Sequence, residues 1–133
     1  MRQEEFIHQV QARGALPDTG HAERAVRATL ETLGERIDGG LAVKLAAQLP
    51  HEIGENLRRV APEHSGQHFD RRTFIHRVSE KSGQPEPKAA HLIRVTMEMV
   101  DQATTGALSK RVSSSLSDDM QDLLTVTPHK PAQ

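Results

Sequence analysis

Apolar positions in this chain recur every three or four residues, which is the spacing of one face of an α-helix. The longest stripe comprises Ala22, Val26, Thr29, Leu30, Leu33 and Ile37. Asp18 precedes it, where a carboxylate can accept the first backbone N–H groups of a helix. The pattern therefore predicts a long amphipathic helix that begins after Asp18 and is stopped by Asp38-Gly39-Gly40.

Shorter stripes with the same spacing stand on both sides of this helix. They are Phe6, Ile7 and Val10; then Leu41, Leu45 and Leu49; then Ile53 and Leu57. Gly14 is expected to end the first of them, and Pro50 suits the first turn of the last. The first 60 residues therefore predict four consecutive helices.

The second half of the chain repeats the first. Phe6-Ile7-His8-Gln9-Val10 recurs as Phe74-Ile75-His76-Arg77-Val78 at an offset of 68, and residues 27–31 recur as 94–98 at an offset of 67. A one-residue slip in the intervening loop reconciles the two offsets. One unit alone has only thin apolar stripes and would be marginally stable. We therefore expect an all-α fold in which two tandem four-helix repeats pack pseudo-symmetrically into one helical bundle; two separately stable mini-bundles are the alternative.

The predicted domain spans residues 1–126, with repeat 1 at about 3–60 and repeat 2 at about 70–126. Residues 61–69 are expected to form a linker, and 127–133 a disordered tail. Within repeat 2, the expected boundary residues are Asp70 and Ser117 as helix caps, Pro87 in the first turn of the long helix and Gly106 at its end.

Several of these segments resemble the domain-of-unknown-function 2267 family. The resemblance rests on the opening acidic-Phe-Ile helix, the Arg27-to-Leu33 segment, and the run from Gly39 to Pro50, and it is strongest over residues 22–57. The second repeat departs from the pattern, since Leu116-Ser117 stands where the first has Leu49-Pro50. The resemblance implies a small bacterial helical protein, and it supplies no catalytic residues to carry over.

The overall charge is nearly balanced, with 17 Lys and Arg against 18 Asp and Glu and a formal net charge of -1. Such a balance does not attract nucleic acid over long range, and the Arg58-Arg59 and Arg71-Arg72 doublets lack interleaved aromatic residues. No apolar run approaches the length of a membrane span, and Met1–Glu5 shows no secretory signal, so a cytoplasmic location is expected. The absence of cysteine excludes disulfides and thiolate chemistry, and no cofactor motif is seen.

The second long helix carries an extra apolar stripe of Leu92, Val95 and Met99, where the first has Ala25, Ala28 and Thr32. A helix that is apolar nearly all round is either wrapped by its own domain or docks a partner. Burial within the domain is the favoured explanation of the stripe. The leading functional hypothesis is nevertheless a non-enzymatic interaction or scaffold protein that uses this face, with a protein partner or a homodimer as the occupant.

The most specific polar feature is the repeated pair formed by Arg27 with Glu31 and by Arg94 with Glu98. Residues four apart are neighbours on a helix, so each pair is either a solvated ion pair, worth about 0.3 kcal/mol, or a group that reaches between repeats or to a ligand.

Two histidine pairs provide alternative functions. His8 and His76 are equivalent in the repeat and face away from the apolar stripe, which would suit phosphotransfer or a small enzyme. His64 and His68 are four residues apart, a spacing that suits a metal only if the segment is helical. Two ligands fall short of a tetrahedral set, so no metal site is expected.

Overall fold

The computed structural model describes residues 1–124, which form eight α-helices, one 3₁₀ turn at Pro62–His64 and no strand. The all-α expectation is confirmed. The predicted tail at 127–133 and the last two residues of repeat 2 lie outside the described residues. The helices are α1 (Gln3–Arg13), α2 (Thr19–Arg36), α3 (Gly39–Gln48), α4 (His51–Arg58), α5 (Arg71–Ser82), α6 (Glu86–Ala103), α7 (Gly106–Ser114) and α8 (Asp118–Leu124).

Two predicted caps begin helices as expected. Asp18 Oδ1 accepts the backbone N–H of His21 at 2.8 Å, and Asp70 Oδ1 accepts that of Thr73 at 2.9 Å. Each carboxylate therefore satisfies a donor that has no partner inside its helix. Pro87 lies in the first turn of α6, also as predicted.

The expected stop signals of the long helices are wrong by a few residues. The helix α2 ends at Arg36, and Asp38 instead begins α3 by accepting the N–H groups of Gly40 and Leu41 at 3.0 and 3.3 Å. Likewise α6 ends at Ala103, and Gly106 is the first residue of α7. An Asp-Gly or Thr-Gly pair suits a helix start because the side-chain oxygen caps the N–H groups that follow. Pro50 occupies the position just before α4, one residue earlier than expected.

The predicted linker at 61–69 is anchored to the end of α2. Gly66 donates its N–H to the carbonyl of Ile37 at 2.9 Å, and Gln67 donates to that of Glu35 at 2.8 Å. The buried Arg36 donates from Nε to the carbonyl of Phe69 at 2.9 Å. The segment follows a fixed path because the last carbonyls of a helix lack partners within it.

The helices of the two halves pack across one another. The long helices α2 and α6 are in contact, α1 packs on α6, and α5 packs on α2. Within each half, the first helix also packs on its own long helix, and the fourth helix packs on the long helix too. Exchanging α1–α4 for α5–α8 converts each of these contacts into another that is present. A pseudo-twofold arrangement requires this pattern, and the axis itself stays a prediction.

The expected interaction face on α6 lies inside the core. Leu92, Val95 and Met99 are 0, 4 and 1% exposed. The packing of α1 on α6 accounts for the burial of Leu92, since a Cβ added to Gly14, just after α1, would lie only 2.7 Å from Leu92 Cδ2. The three side chains therefore serve packing and are not accessible to a partner in this conformation.

Two buried threonines at repeat-equivalent positions lack hydrogen-bond partners. Thr29 and Thr96 are 67 residues apart, both are fully buried on the long helices, and neither hydroxyl has a partner among the described residues. Thr32 is equally buried, but its hydroxyl donates to the carbonyl of Ala28 at 2.8 Å. A buried polar group without a partner costs free energy on folding.

We expect Thr29→Val and Thr96→Val to raise the free energy of unfolding by about 1 kcal/mol each, because valine has nearly the same shape without the unpaired hydroxyl. Urea unfolding followed by circular dichroism measures the change. Thr32→Val is the matched control and should give no gain. A loss of stability in both test variants would contradict this account.

We expect Val95→Glu to destabilise the fold by several kcal/mol, because a carboxylate at this position would be buried without a partner. Thermal unfolding monitored at 222 nm should show a much lower Tm or no cooperative transition. Val43→Glu provides the control, since Val43 is 68% exposed and its replacement should leave Tm nearly unchanged. A folded Val95→Glu variant with the Tm of the parent would overturn the assignment of this side chain to the core.

Candidate functional site

The ion pair predicted within α2 is present. Arg27 Nε donates to Glu31 Oε2 at 3.3 Å, and the Glu31 side chain is only 19% exposed. Glu31 also lies 3.7 Å from a guanidinium nitrogen of Arg59, which directly follows α4, and 3.8 Å from the ammonium of Lys81 on α5. Cations from α2, from the end of α4 and from α5 therefore converge on one carboxylate.

The corresponding pair in α6 is not formed. Glu98 accepts a hydrogen bond at 3.2 Å from Arg13 on α1, while Arg94 is exposed and lies beyond ion-pair distance of it. Arg13 and Lys81 are 68 residues apart, and Glu31 and Glu98 are 67 apart. The shared feature of the two repeats is therefore a glutamate on each long helix that contacts a cation on the first helix of the other half.

Glu35 adds a second carboxylate to the contact between α2 and α5, here called the α2–α5 seam. Its carboxylate accepts hydrogen bonds from Arg77 at 2.9 Å and from Lys81 at 3.0 Å. Arg77 also stacks 4.0 Å above the ring of Phe69 and donates to Gln67 at 3.2 Å. Partial burial opposes ionisation of Glu35, but the hydrogen bonds from Lys81 and Arg77 outweigh it, so its pKa lies below the usual value.

The repeat-equivalent histidines lie on exposed helix surfaces. His8 on α1 makes no hydrogen bond or ion pair within residues 1–124. His76 on α5 lies between two carboxylates, with Nδ1 3.2 Å from Glu86 and Nε2 3.4 Å from Glu80. The two imidazoles therefore have different surroundings, although they occupy matching positions in the sequence.

The second histidine pair is not preorganised for a metal. His64 closes the 3₁₀ turn, the chain becomes extended at Ser65, and His68 lies in the irregular segment before α5. The helical spacing that would place both imidazoles on one side is thus not realised. Over the described part of the chain, no three His, Cys, Asp or Glu side chains form a group that could hold a metal ion.

The sequence interpretation missed a surface on α3. The exposed residues of this helix form one face, here called the α3 ridge, which comprises Gly40, Val43, Lys44, Ala47 and Gln48. Val43 is 68% exposed, and among residues 1–124 only Met1 is another large hydrophobic residue that is exposed. The three- and four-residue spacing of this ridge was available in the sequence, but its small side chains give a weak hydrophobic signal.

A groove of about 410 Å³ lies on each side of the α3 ridge. The first groove separates the ridge from the ends of α2 and α4 and is lined by Gly34, Ala42, Val43, Leu57, Arg58 and Val60, among others. The second groove separates it from α7 and is lined by Lys44, Ala47, Gln48, Thr105, Leu108 and Arg111, among others. Most of the surface within both grooves is apolar.

Every ionisable side chain that lines these two grooves is a cation. Arg58, in the first groove, already donates to the carbonyls of His51 and Ala46. The side chains of Lys44 and Arg111, in the second groove, make no hydrogen bond or ion pair within the described part of the chain. They are 67 residues apart and so occupy matching positions in the two repeats. The surface therefore combines two apolar grooves with two cationic side chains that no carboxylate neutralises.

We expect acid to weaken the seam between α2 and α5. Because the pKa of Glu35 is lowered on folding, its stabilisation is fully present above the ordinary glutamate pKa of about 4.3 and is lost as the pH falls through the lowered value. Glu35→Gln should lower the free energy of unfolding by about 1 kcal/mol at pH 7. The difference between variant and parent should shrink at pH 3, as urea unfolding at both pH values would show.

Other carboxylates also titrate between pH 7 and pH 3, so the stability of Glu35→Gln must be compared with that of a second Glu→Gln variant at each pH. Hydrogen bonds lower the pKa of Asp18 through His21, of Asp70 through the Thr73 N–H, and of Asp119 through the Ser117 hydroxyl. Glu63→Gln is the matched control, because Glu63 is exposed on the 3₁₀ turn. An equal effect of Glu35→Gln at pH 7 and pH 3 would exclude titration of Glu35 as the cause.

Comparison with known proteins places the chain in a family. None of the helices within residues 1–124 combines the length and apolar composition needed to cross a bilayer. No curated protein matches the sequence. The family described as Uncharacterized conserved protein (DUF2267) matches residues 3–123, which is nearly the whole chain and includes both long helices, the α3 ridge and the charged seam. The chain belongs to this family.

Proposed function

We propose that this chain is a non-enzymatic interaction protein that docks a partner on the α3 ridge and its two grooves. The occupant is an amphipathic helical segment of another protein, with apolar side chains flanked by carboxylates. The observation that carries the proposal is the exposed Val43 between two apolar grooves whose only ionisable lining groups are cations.

The shape of the ridge suits a docked helix. Gly40 and Ala47 have minimal side chains, so a partner backbone can approach α3 closely while its larger side chains enter the grooves on both sides. An apolar centre with a polar rim is the arrangement that gives most binding energy at protein interfaces. Val43 would be the apolar anchor, because it is the large hydrophobic residue that the ridge leaves in water.

The charge of the surface supports an acidic partner. Lys44 and Arg111 have donors that no neighbouring carboxylate uses, and no Asp or Glu lines either groove. The chain as a whole has a net charge of -1, so the attraction is local to this surface and not a property of the whole molecule. Pairing at such a rim mainly accelerates association and selects the partner, and it weakens with salt.

The proposal keeps the interaction role that the sequence suggested and moves it to another surface. Leu92, Val95 and Met99 are taken up by the core, whereas the α3 ridge is exposed. Self-association through the same ridge would bring Lys44 and Arg111 of one copy towards those of another, and this repulsion disfavours a symmetric homodimer here.

We expect the protein to bind a fluorescein-labelled amphipathic peptide helix with glutamates flanking a leucine face, and to bind its lysine-flanked counterpart at least tenfold more weakly. Fluorescence anisotropy at low and high salt measures both affinities. Val43→Glu, Lys44→Glu and Arg111→Glu should each weaken binding of the acidic peptide about tenfold or more, because they remove the anchor or reverse a rim charge.

Arg72→Glu is the matched control, since Arg72 is exposed on α5 and far along the chain from the α3 ridge. It makes the same change of charge and should leave the affinity unchanged. Equal binding of both peptides, or equal loss with Arg72→Glu, would contradict the proposal. A dimer that light scattering detects and Val43→Glu abolishes would make a second copy the occupant instead.

A further inference from the structure

A separate polar cleft lies between α1, the first half of α2 and α4. It has a volume of about 340 Å³, which falls in the lower range of small-molecule sites. Buried Ile7, Val26 and Ile53 contribute to its lining. Three guanidinium groups, those of Arg24, Arg27 and Arg59, also line it, and we call it the arginine cleft.

A buried amide holds one of these guanidinium groups in place. Arg59 Nη1 donates to Asn56 Oδ1 at 2.7 Å, and Asn56 Nδ2 donates to the carbonyl of Ile53 at 3.2 Å. Asn56 is only 7% exposed. The side chain of Arg59 is therefore tethered at its charged end, which lowers the entropy lost when it binds a ligand.

The fold itself does not require an amide at this position. The residue 67 positions later is Leu123, which is 1% exposed and packs in the core. An asparagine in a comparable buried position is costlier than leucine unless its polar atoms are satisfied. The amide at Asn56 is thus explained by the guanidinium that it positions rather than by packing.

Most of the hydrogen-bond donors in the arginine cleft are unused. Each guanidinium has five N–H donors. Arg27 uses Nε on Glu31, Arg59 uses Nη1 on Asn56, and Arg24 has no hydrogen bond or ion pair within residues 1–124. Planar guanidinium groups match carboxylate and phosphate oxygens in geometry.

The carboxylates near the cleft limit the charge of its ligand. Glu31 is shared among Arg27, Arg59 and Lys81, whereas Glu23 and Glu52 line the cleft and are exposed to water. The three lining arginines exceed the two lining glutamates by one positive charge. A small ligand with one oxyanion group therefore fits better than a polyanion.

We infer that the arginine cleft binds a small oxyanion, a carboxylate or a phosphate group, through Arg24, Arg27 and the Asn56-tethered Arg59. The site shares no lining residue with the two grooves beside the α3 ridge. The inference therefore does not rest on the proposed docking of a protein partner on that ridge.

The test is a titration of the ¹⁵N-labelled full chain with sodium acetate and, separately, with sodium phosphate, at constant ionic strength set by sodium chloride. We expect saturable chemical-shift changes in the Asn56 side-chain amide, the Arg59 Nε–H and the backbone N–H of Gly20. Saturation with acetate alone or phosphate alone identifies the class of oxyanion. Changes that stay linear for both anions would overturn the inference.

Variants separate a specific site from surface charge. Arg59→Met and Asn56→Leu should each raise the Kd at least about tenfold, the first by removing the guanidinium and the second by releasing it. Arg94→Met is the matched control, since Arg94 is exposed at the position of α6 that corresponds to Arg27, and it should leave the Kd unchanged. If Asn56→Leu fails to fold, the Kd of the Arg59→Met variant alone tests the site. An unchanged Kd in Arg59→Met would refute the site.

Discussion

The structure depends on the first helix of each half packing against the long helix of the other half as well as its own. The helix α1 packs on α6, and α5 packs on α2, so each long helix is covered by an element from the other half. Phe6 and Phe74, the largest apolar side chains of these first helices, are fully buried. A helical unit of about 60 residues buries little apolar area and is marginally stable on its own. Packing against the other half adds to the buried apolar area of both.

The charged groups at this crossing are consistent with the apolar packing. Glu31 contacts Lys81, and Glu98 contacts Arg13, so matching glutamates bind matching cations across the two seams. Such pairs contribute little free energy where water reaches them. They do favour one register of each first helix along the opposite long helix, because a slip of one turn would separate the charges. Glu35, which Arg77 and Lys81 both contact, makes the seam between α2 and α5 the stronger one.

The sequence predicts the parts of this arrangement that depend on local chemistry. Helical periodicity and the caps at Asp18 and Asp70 locate the helices, since both act within one turn. The fate of the stripe at Leu92 could not be decided in that way, because periodicity identifies an apolar face without naming its neighbour. The ends of α2 and α6 were misplaced for a related reason. A side-chain acceptor followed by glycine, as at Asp38, is compatible with the end of one helix and with the start of the next. The packing of the residues that follow decides between the two.

The candidate sites were harder to predict because they depend on where helices meet. The α3 ridge consists mainly of small or polar residues, which give a weak hydrophobic pattern. The exposure of Val43 becomes visible only once the packing has buried the neighbouring residues of α3. The arginine cleft brings together Arg24 and Arg59, which are 35 residues apart, and their separation in the sequence hides their proximity.

Both candidate sites share α4, which fixes their geometry together. Arg58 faces the first groove, while Asn56 and Arg59 face the arginine cleft. A Cβ added at Gly54 would lie 2.6 Å from the carbonyl oxygen of Ala46, so α4 packs on α3 without room for a side chain between them. Because α4 has only eight residues and packs this closely on α3, it shifts as one rigid unit, so the residues that line the groove and the cleft shift together. The position of α4 against α3 therefore sets the width of the first groove and the placement of the Arg59 guanidinium at once.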